Sequence, residues 1–297
     1  MSPAAAQRAA VLGSPIGHSK SPQLHTAAYR HLGLSIDYTR IEVDEESLAD
    51  FIAAEAGRPG WRGWSVTMPL KSAMLGHVHE ASPRVQTLGV LNTVVHRPDG
   101  TRYGENTDVD GILQALAEHA VLPVDGSTDS SMAILGAGGT AAAALAAAAE
   151  LNRRRVRLYA RTPQRAAAAY ELARSLDLDA QVRPLSALGD DLSRETFDVV
   201  VSTLPPRAAD SLAETIPAAS EAAGAPVLLD VAYDPWPSVL AQTWTTRGWR
   251  VSSGLDMLLH QAVKQVEHFT AYTENPAAAQ GHRERESMIQ LMRAAVA

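Results

Sequence analysis

Two periodicities alternate along this chain. Short apolar runs bounded by turn residues fall at Arg8 to Leu12, Asp37 to Val43, Trp61 to Val66, Met132 to Leu135 and Val156 to Tyr159, and they predict strands. Phe197 to Ser202 and Pro226 to Val231 are apolar almost throughout, the pattern of strands buried on both faces. Helical spacing separates these runs: Pro22 to Leu32 stopping at Gly33, Glu45 to Ala56 closed by Gly57, an alanine-rich segment after Gly139, Pro163 to Leu176, Gly254 to Tyr272 and Glu284 to Val296. Pro69 suits the first turn of a further helix. Leu88 to His96 and Thr101 to Tyr103 flank Pro98-Asp99-Gly100, the spacing of a hairpin. Strands alternating with helices predict an α/β layer architecture.

Val121 to Ser131 is polar and turn-rich, and reads as a junction. The 297 residues allow one large domain or two of ordinary size. Apolar residues at 46% and charged residues at 20% support a packed core and exclude global disorder. A net charge of −7 without a basic run argues against nucleic acid as a partner. The absence of cysteine excludes disulfides, thiolate zinc sites, iron–sulfur clusters and a cysteine nucleophile, and fits a reducing cytoplasm. The longest apolar-looking stretch, Thr140 to Leu151, is too short to span a bilayer, and MSPAAAQRAAVLG lacks the build of an export signal, so no membrane partner is expected. No metal is expected either: His77 and His79, two apart on an expected helix, would point to different faces. Neither G-x-S-x-G nor G-x-x-x-x-G-K-[ST] occurs, which removes the corresponding hydrolase and P-loop readings.

The first chemistry-bearing feature is Gly136-Ala137-Gly138-Gly139-Thr140-Ala141, a G-x-G-x-x-A pattern between an expected strand and helix. Gly136 would allow a tight turn, Gly138 a close approach of a pyrophosphate, and Ala141 close packing, with the helix N-terminus facing the anion. A glycine turn needed only for packing is the competing explanation. After the second strand, Arg161-Thr162-Pro163-Gln164-Arg165 stands where a carboxylate would accept from an NAD ribose. Two arginines four apart, with Thr162, suit a 2′-phosphate, so the cofactor expected is NADP; a solvated basic helix start is the alternative.

Four polar clusters lie outside this region: His18-Ser19-Lys20-Ser21-Pro22, Ser65-Val66-Thr67-Met68-Pro69-Leu70-Lys71, Gly89-Val90-Leu91-Asn92-Thr93, and Gly104-Glu105-Asn106-Thr107-Asp108. Singly each has a plain explanation: Ser21 as an N-cap, Lys71 as a surface charge, Asp108 as the cap of a helix starting near Val109. In this order, joined by SPIGHSKSPQLH, SVTMPLK, GVLNT, GENTDVDG, GAGGTA, ART, DVAYDP and GLDMLLHQA, they make the chain resemble the shikimate dehydrogenase family along nearly its whole length.

The resemblance implies an N-terminal α/β substrate and catalytic domain, residues 1–109 with 254–297, and a Rossmann-like doubly wound NADP-binding domain, residues 110–253. The C-terminal helices would return to the first domain. It implies reversible NADPH-dependent reduction of 3-dehydroshikimate to shikimate in aromatic amino-acid biosynthesis; apart from the resemblance, a cytoplasmic location and a monomer or homodimer are expected. Carried over by motif, Lys71 and Asp108 would form the catalytic pair. Ser19 and Ser21 would bind the substrate carboxylate. Thr67, Asn92 and Asp108 would contact ring hydroxyls, and Tyr233 and Gln261 would complete the pocket. Gly136, Ala137, Gly138, Gly139, Thr140, Arg161, Thr162 and Arg165 would hold the cofactor, and Thr203, Val231 and Gly254 would line its nicotinamide side. The family often has asparagine at the positions of Ser65 and Ala160, and N-A-T where this chain has Ser202-Thr203-Leu204-Pro205-Pro206. Quinate or aminoshikimate as substrate, or a catalytically silent NADP-binding regulator, are the alternatives within the same scaffold.

Overall fold

The computed structural model describes residues 6–55, 57–124, 130–218 and 225–297. Ala56, the first five residues and the centre of the Val121 to Ser131 junction lie outside them. The chain divides into two compact units: residues 1–107 with 261–297, and residues 108–260.

In the first unit, β1 (Gln7–Gly13), α1 (Ser21–His31), β2 (Ile36–Glu42), α2 (Leu48–Glu55), β3 (Trp61–Val66), β4 (Glu80–Ala81), α3 (Pro83–Leu88), β5 (Thr93–His96) and β6 (Arg102–Glu105) follow one another. The sheet order is β2-β1-β3-β5-β6-β4. β1 runs parallel to β2 and β3, whereas β5 is antiparallel to both β3 and β6. Leu12, Trp64, Leu70, Met74, Val85, Leu91 and Val94 build a core on this sheet.

The second unit contains α4 (Asp108–Ala117), β7 (Ser131–Leu135), α5 (Gly139–Glu150), β8 (Arg155–Ala160), α6 (Ala167–Ser175), β9 (Asp179–Pro184), α7 (Leu188–Arg194), β10 (Val199–Ser202), α8 (Asp210–Ala213), β11 (Val227–Asp230), α9 (Val239–Thr246) and β12 (Val251–Ser253). Its sheet is parallel throughout, in the order β12-β11-β10-β7-β8-β9. Counted from β7 this is the 3-2-1-4-5-6 order of dinucleotide-binding folds, and the order reverses between β7 and β10. β7, β10 and β11 are buried at every position, as their unbroken apolar runs predict. All eight residues from Ala141 to Ala148 are buried, so the alanine run of α5 is core. The last helices are α10 (Gly254–Thr270) and α11 (His282–Ala294). α11 packs on α1, and Lys20 Nζ donates to the Val296 carbonyl at 3.1 Å, which returns the C-terminus to the first unit.

Several expectations are corrected. No helix starts at Pro69: the chain turns through Leu70 to Ser72 and enters a 3-10 helix at Ala73–His77, because this path buries both Leu70 and Met74 completely. His77 ends that helix and His79 lies beyond it, where Nδ1 accepts from the Arg102 N–H at 2.9 Å; the two do not share a helix. Leu88 belongs to α3, which Ser82 caps and Gly89 closes at φ 65°, so the hairpin's first strand begins only at Thr93. Pro163 opens a 3-10 turn before α6 starts at Ala167. Ser21 is the first helical residue rather than the N-cap, a position taken by Lys20.

Candidate active site

The polar residues of the first unit gather where β1 and β3 end and β5 begins. Because β5 runs against β3, Ser65 pairs with Thr93, and Asn92 stands beside the exit of β3. The Val66 N–H donates to the Asn92 carbonyl at 2.7 Å and the Leu91 N–H to the Lys71 carbonyl at 2.9 Å, which ties the Thr67 to Lys71 turn to Asn92. The β1 exit joins them through the Ser14 N–H, which donates to the Met68 carbonyl at 3.1 Å. Thr67 and Lys71 are half-buried; Asn92 and Gln261 are buried. Asn92 Nδ2 lies 3.4 Å from Gln261 Oε1 on α10. Its Oδ1 accepts from the Thr107 N–H at 2.8 Å, so the GENTDVDG segment is held to the same point. Ser19 and Ser21 are buried at the head of α1, where the Ser21 N–H meets Ser19 Oγ at 3.3 Å. Arg40 Nε anchors this turn by donating to the Ser19 carbonyl at 2.8 Å.

Sequence reasoning missed the support beneath these residues. Tyr38 donates to Ser65 Oγ at 2.6 Å, and Ser65 donates to Gln265 Oε1 at 2.6 Å. His25 stacks on Tyr38 with ring centroids 4.0 Å apart. Burial lowers the His25 pKa to about 3, against a weaker opposing effect of its bond to Gln265, so the ring is neutral. Gln265 was within reach of a sequence argument: it is four residues after Gln261, on the same face of α10.

In the second unit, Asp108 is buried at the start of α4, where a carboxylate is favoured by the helix dipole. Tyr233 is half-buried in the loop after β11. Ser238 Oγ donates to Asp230 Oδ2 at 2.5 Å and caps α9 through the Ala241 N–H at 3.0 Å, which closes the base of that loop. Burial raises the pKa of Asp230.

The glycine loop sits at the switch point between β7 and β10. Gly136 has φ 114°, and its N–H donates to the Tyr159 carbonyl at 2.8 Å. Thr203 lies against it and bonds the Leu135 carbonyl through both N–H and Oγ1, each at 2.8 Å. Gly136 is therefore required by the turn itself. Gly138 is different: a Cβ there would meet nothing within 4 Å, and its φ of −92° suits any residue. Packing does not explain Gly138, whereas access for a ligand to the start of α5 does; no side chain caps that helix start. Arg161, Thr162 and Arg165 are exposed beyond β8, and among the described residues no carboxylate pairs with either guanidinium. This donor set fits a dinucleotide carrying an extra phosphate. Gly254 backs onto the Val231 carbonyl, too close for a Cβ, so Val231 and Gly254 are neighbours.

Among the described residues no group of three metal-ligating side chains comes together, and no helix is long and apolar enough to cross a membrane. A parallel sheet with a switch-point glycine loop and an arginine pair defines a dinucleotide-binding unit, here in one chain with a second α/β unit that carries a buried polar cluster. Residues 11–94 match the family model described as the shikimate dehydrogenase substrate binding domain. The chain is 34% identical over 276 residues to a shikimate dehydrogenase (NADP(+)) of Sphingopyxis alaskensis, covering 90% of this chain and 92% of that one. It superposes on the Mycobacterium tuberculosis shikimate dehydrogenase crystal structure with a TM-score of 0.80 and 39% identity, over 97% of this chain and 99% of that one. A Thermus thermophilus shikimate 5-dehydrogenase, solved in complex with NADP(H) and shikimate, gives a TM-score of 0.76 at 29% identity over 98% of this chain and all of that one (100%). The chain belongs to the shikimate dehydrogenase family.

Proposed function

We propose that this protein catalyses the reversible NADPH-dependent reduction of 3-dehydroshikimate to shikimate. The observation that carries the reading is the full-length likeness to shikimate dehydrogenases, with Lys71 and Asp108 kept inside SVTMPLK and GENTDVDG. Residues 1–109 with 254–297 serve as the substrate and catalytic domain and residues 110–253 as the NADP domain.

Bound at Gly136 to Thr140, Arg161, Thr162 and Arg165, with Thr203, Val231 and Gly254 on its nicotinamide side, NADPH supplies the hydride. The chain's own residues hold the substrate and move the proton. Ser19 and Ser21 receive the substrate carboxylate at the head of α1. Thr67, Asn92 and Asp108 hold ring hydroxyls, and Tyr233 and Gln261 complete the pocket. Lys71 gives a proton to the oxygen of the carbonyl as it gains negative charge, and takes it back in the oxidation direction. Asp108 orients the ammonium and accepts from the reacting hydroxyl. The enzyme works as a cytoplasmic monomer or homodimer.

Steady-state kinetics with shikimate and quinate, each with NADP and NAD, test the reading. Shikimate with NADP gives the highest kcat/KM; a preference for quinate moves the substrate, and no turnover with any pair removes the enzymatic reading.

A further inference from the structure

Gln265 is 1% exposed, and its amide is saturated inside the first unit. Nε2 donates to the Asn92 carbonyl and to Thr93 Oγ1, each at 3.0 Å. Oε1 accepts from Ser65 Oγ at 2.6 Å and from His25 Nε2 at 3.3 Å. A carbonyl oxygen only accepts, so the direction of every bond leading from it is fixed. Ser65 spends its proton on Gln265 and therefore accepts from Tyr38. His25 presents Nε2–H, which leaves Nδ1 to accept from the Tyr29 hydroxyl at 3.1 Å.

The same logic runs through Thr93. Its oxygen accepts from Gln265, and its proton goes to Asn92 Oδ1 at 2.7 Å. The Thr107 N–H reaches that oxygen at 2.8 Å. Asn92 Oδ1 is thus filled from within, and Nδ2 is the atom that donates to Thr107 Oγ1 at 3.0 Å and faces Gln261 Oε1 at 3.4 Å.

We propose that Gln265, acting through Thr93, is a positioning residue that locks the Asn92 amide with its NH2 group toward Gln261. The Asn92 side chain then donates to a ring hydroxyl oxygen, in place of its 3.4 Å contact with Gln261, and cannot accept from it. The inference rests on the reading of Asn92 as a substrate contact. Gln265 itself touches no substrate, since both ends of its amide are already used.

The test uses the full chain, with shikimate and NADP. Gln265→Leu takes the acceptor from both Ser65 and His25 and can unfold the core, so Thr93→Val, nearly isosteric, is the decisive variant. Thr93→Val raises the shikimate KM about tenfold, with kcat within about threefold and the NADP KM unchanged. Thr93→Ser, which keeps the hydroxyl, restores the KM to within about twofold. Added to Asn92→Ala, Thr93→Val has less than about a twofold further effect, because its path ends at Asn92. If Asn92→Ala is costly and the two effects multiply, or if Thr93→Ser fails to rescue, the positioning role is overturned while Asn92 remains a substrate contact. A normal shikimate KM for Asn92→Ala instead removes the substrate contact, and the inference with it.

Discussion

Thr203 closes over Gly136 so tightly that its hydroxyl occupies the place a Cβ on the glycine would need. With φ at 114°, Gly136 is doubly constrained, and Gly136→Ala costs about 1–3 kcal/mol of stability from backbone strain alone. Gly138 faces open space with ordinary backbone angles. Gly138→Ala keeps urea stability within about 0.5 kcal/mol, yet raises the NADP KM tenfold or more, because the added methyl enters the path of the pyrophosphate. Equal stability losses in the two variants would mean that the loop serves packing only.

Arg161 is exposed beyond β8. Arg161→Ala raises the NADP KM by about 10- to 100-fold, the worth of a charge-assisted bond, and leaves the NAD KM within about twofold. Parallel kinetics with both cofactors check this; equal effects would contradict a 2′-phosphate contact.

Lys71 is assigned the proton that completes the alcohol. Lys71→Ala lowers kcat by about 10²- to 10⁴-fold and leaves the shikimate dissociation constant within a few-fold. Near-normal turnover would take lysine out of the mechanism.

His25 is held neutral, with its pKa lowered from 6.5 to about 3 by burial. The unfolded chain takes up that proton below about pH 6.5 and the native chain does not, so the stability associated with the neutral ring is complete above that pH and falls as pH drops toward 3. One such group contributes a slope of about 1.4 kcal/mol per pH unit in this window. Urea titrations at pH 7, 5.5 and 4.5 should show His25→Asn with a slope shallower by that amount; an unchanged slope would mean that His25 is protonated in the native state.

The order of strands and helices was legible wherever burial writes an unbroken apolar run, as in β7, β10 and β11. β9 was not, because DAQVRP mixes charge and proline on a sheet edge and buries none of its residues fully. α3 was hidden because Leu88 reads equally well as the start of the hairpin strand; only Ser82-Pro83 and Gly89 mark its ends. The substrate cluster was legible as motifs. Its underlying network was not, since Ser65 and Gln265 meet across 200 positions of sequence, and no local pattern announces such a pair.

The reversal of β5 decides which loops of the first unit can vary. Ser65 pairs with Thr93, so the segment from Thr67 to Asn92, which lays β4 beside β6 at the sheet edge, comes back to β5 at the end where β3 left. A longer turn at Pro98 to Gly100, at the hairpin's other end, leaves both of its roots in place. A β5 running parallel to β3 would instead start at the far end of that strand, roughly 16 Å away at about 3.3 Å per residue. A single residue added between Asn92 and Val94 would shift the pairing by one and turn Thr93 to the opposite face, away from Gln265. Evolution and protein engineering alike have latitude in the length of the hairpin turn, and none at the point where the second strand is re-entered.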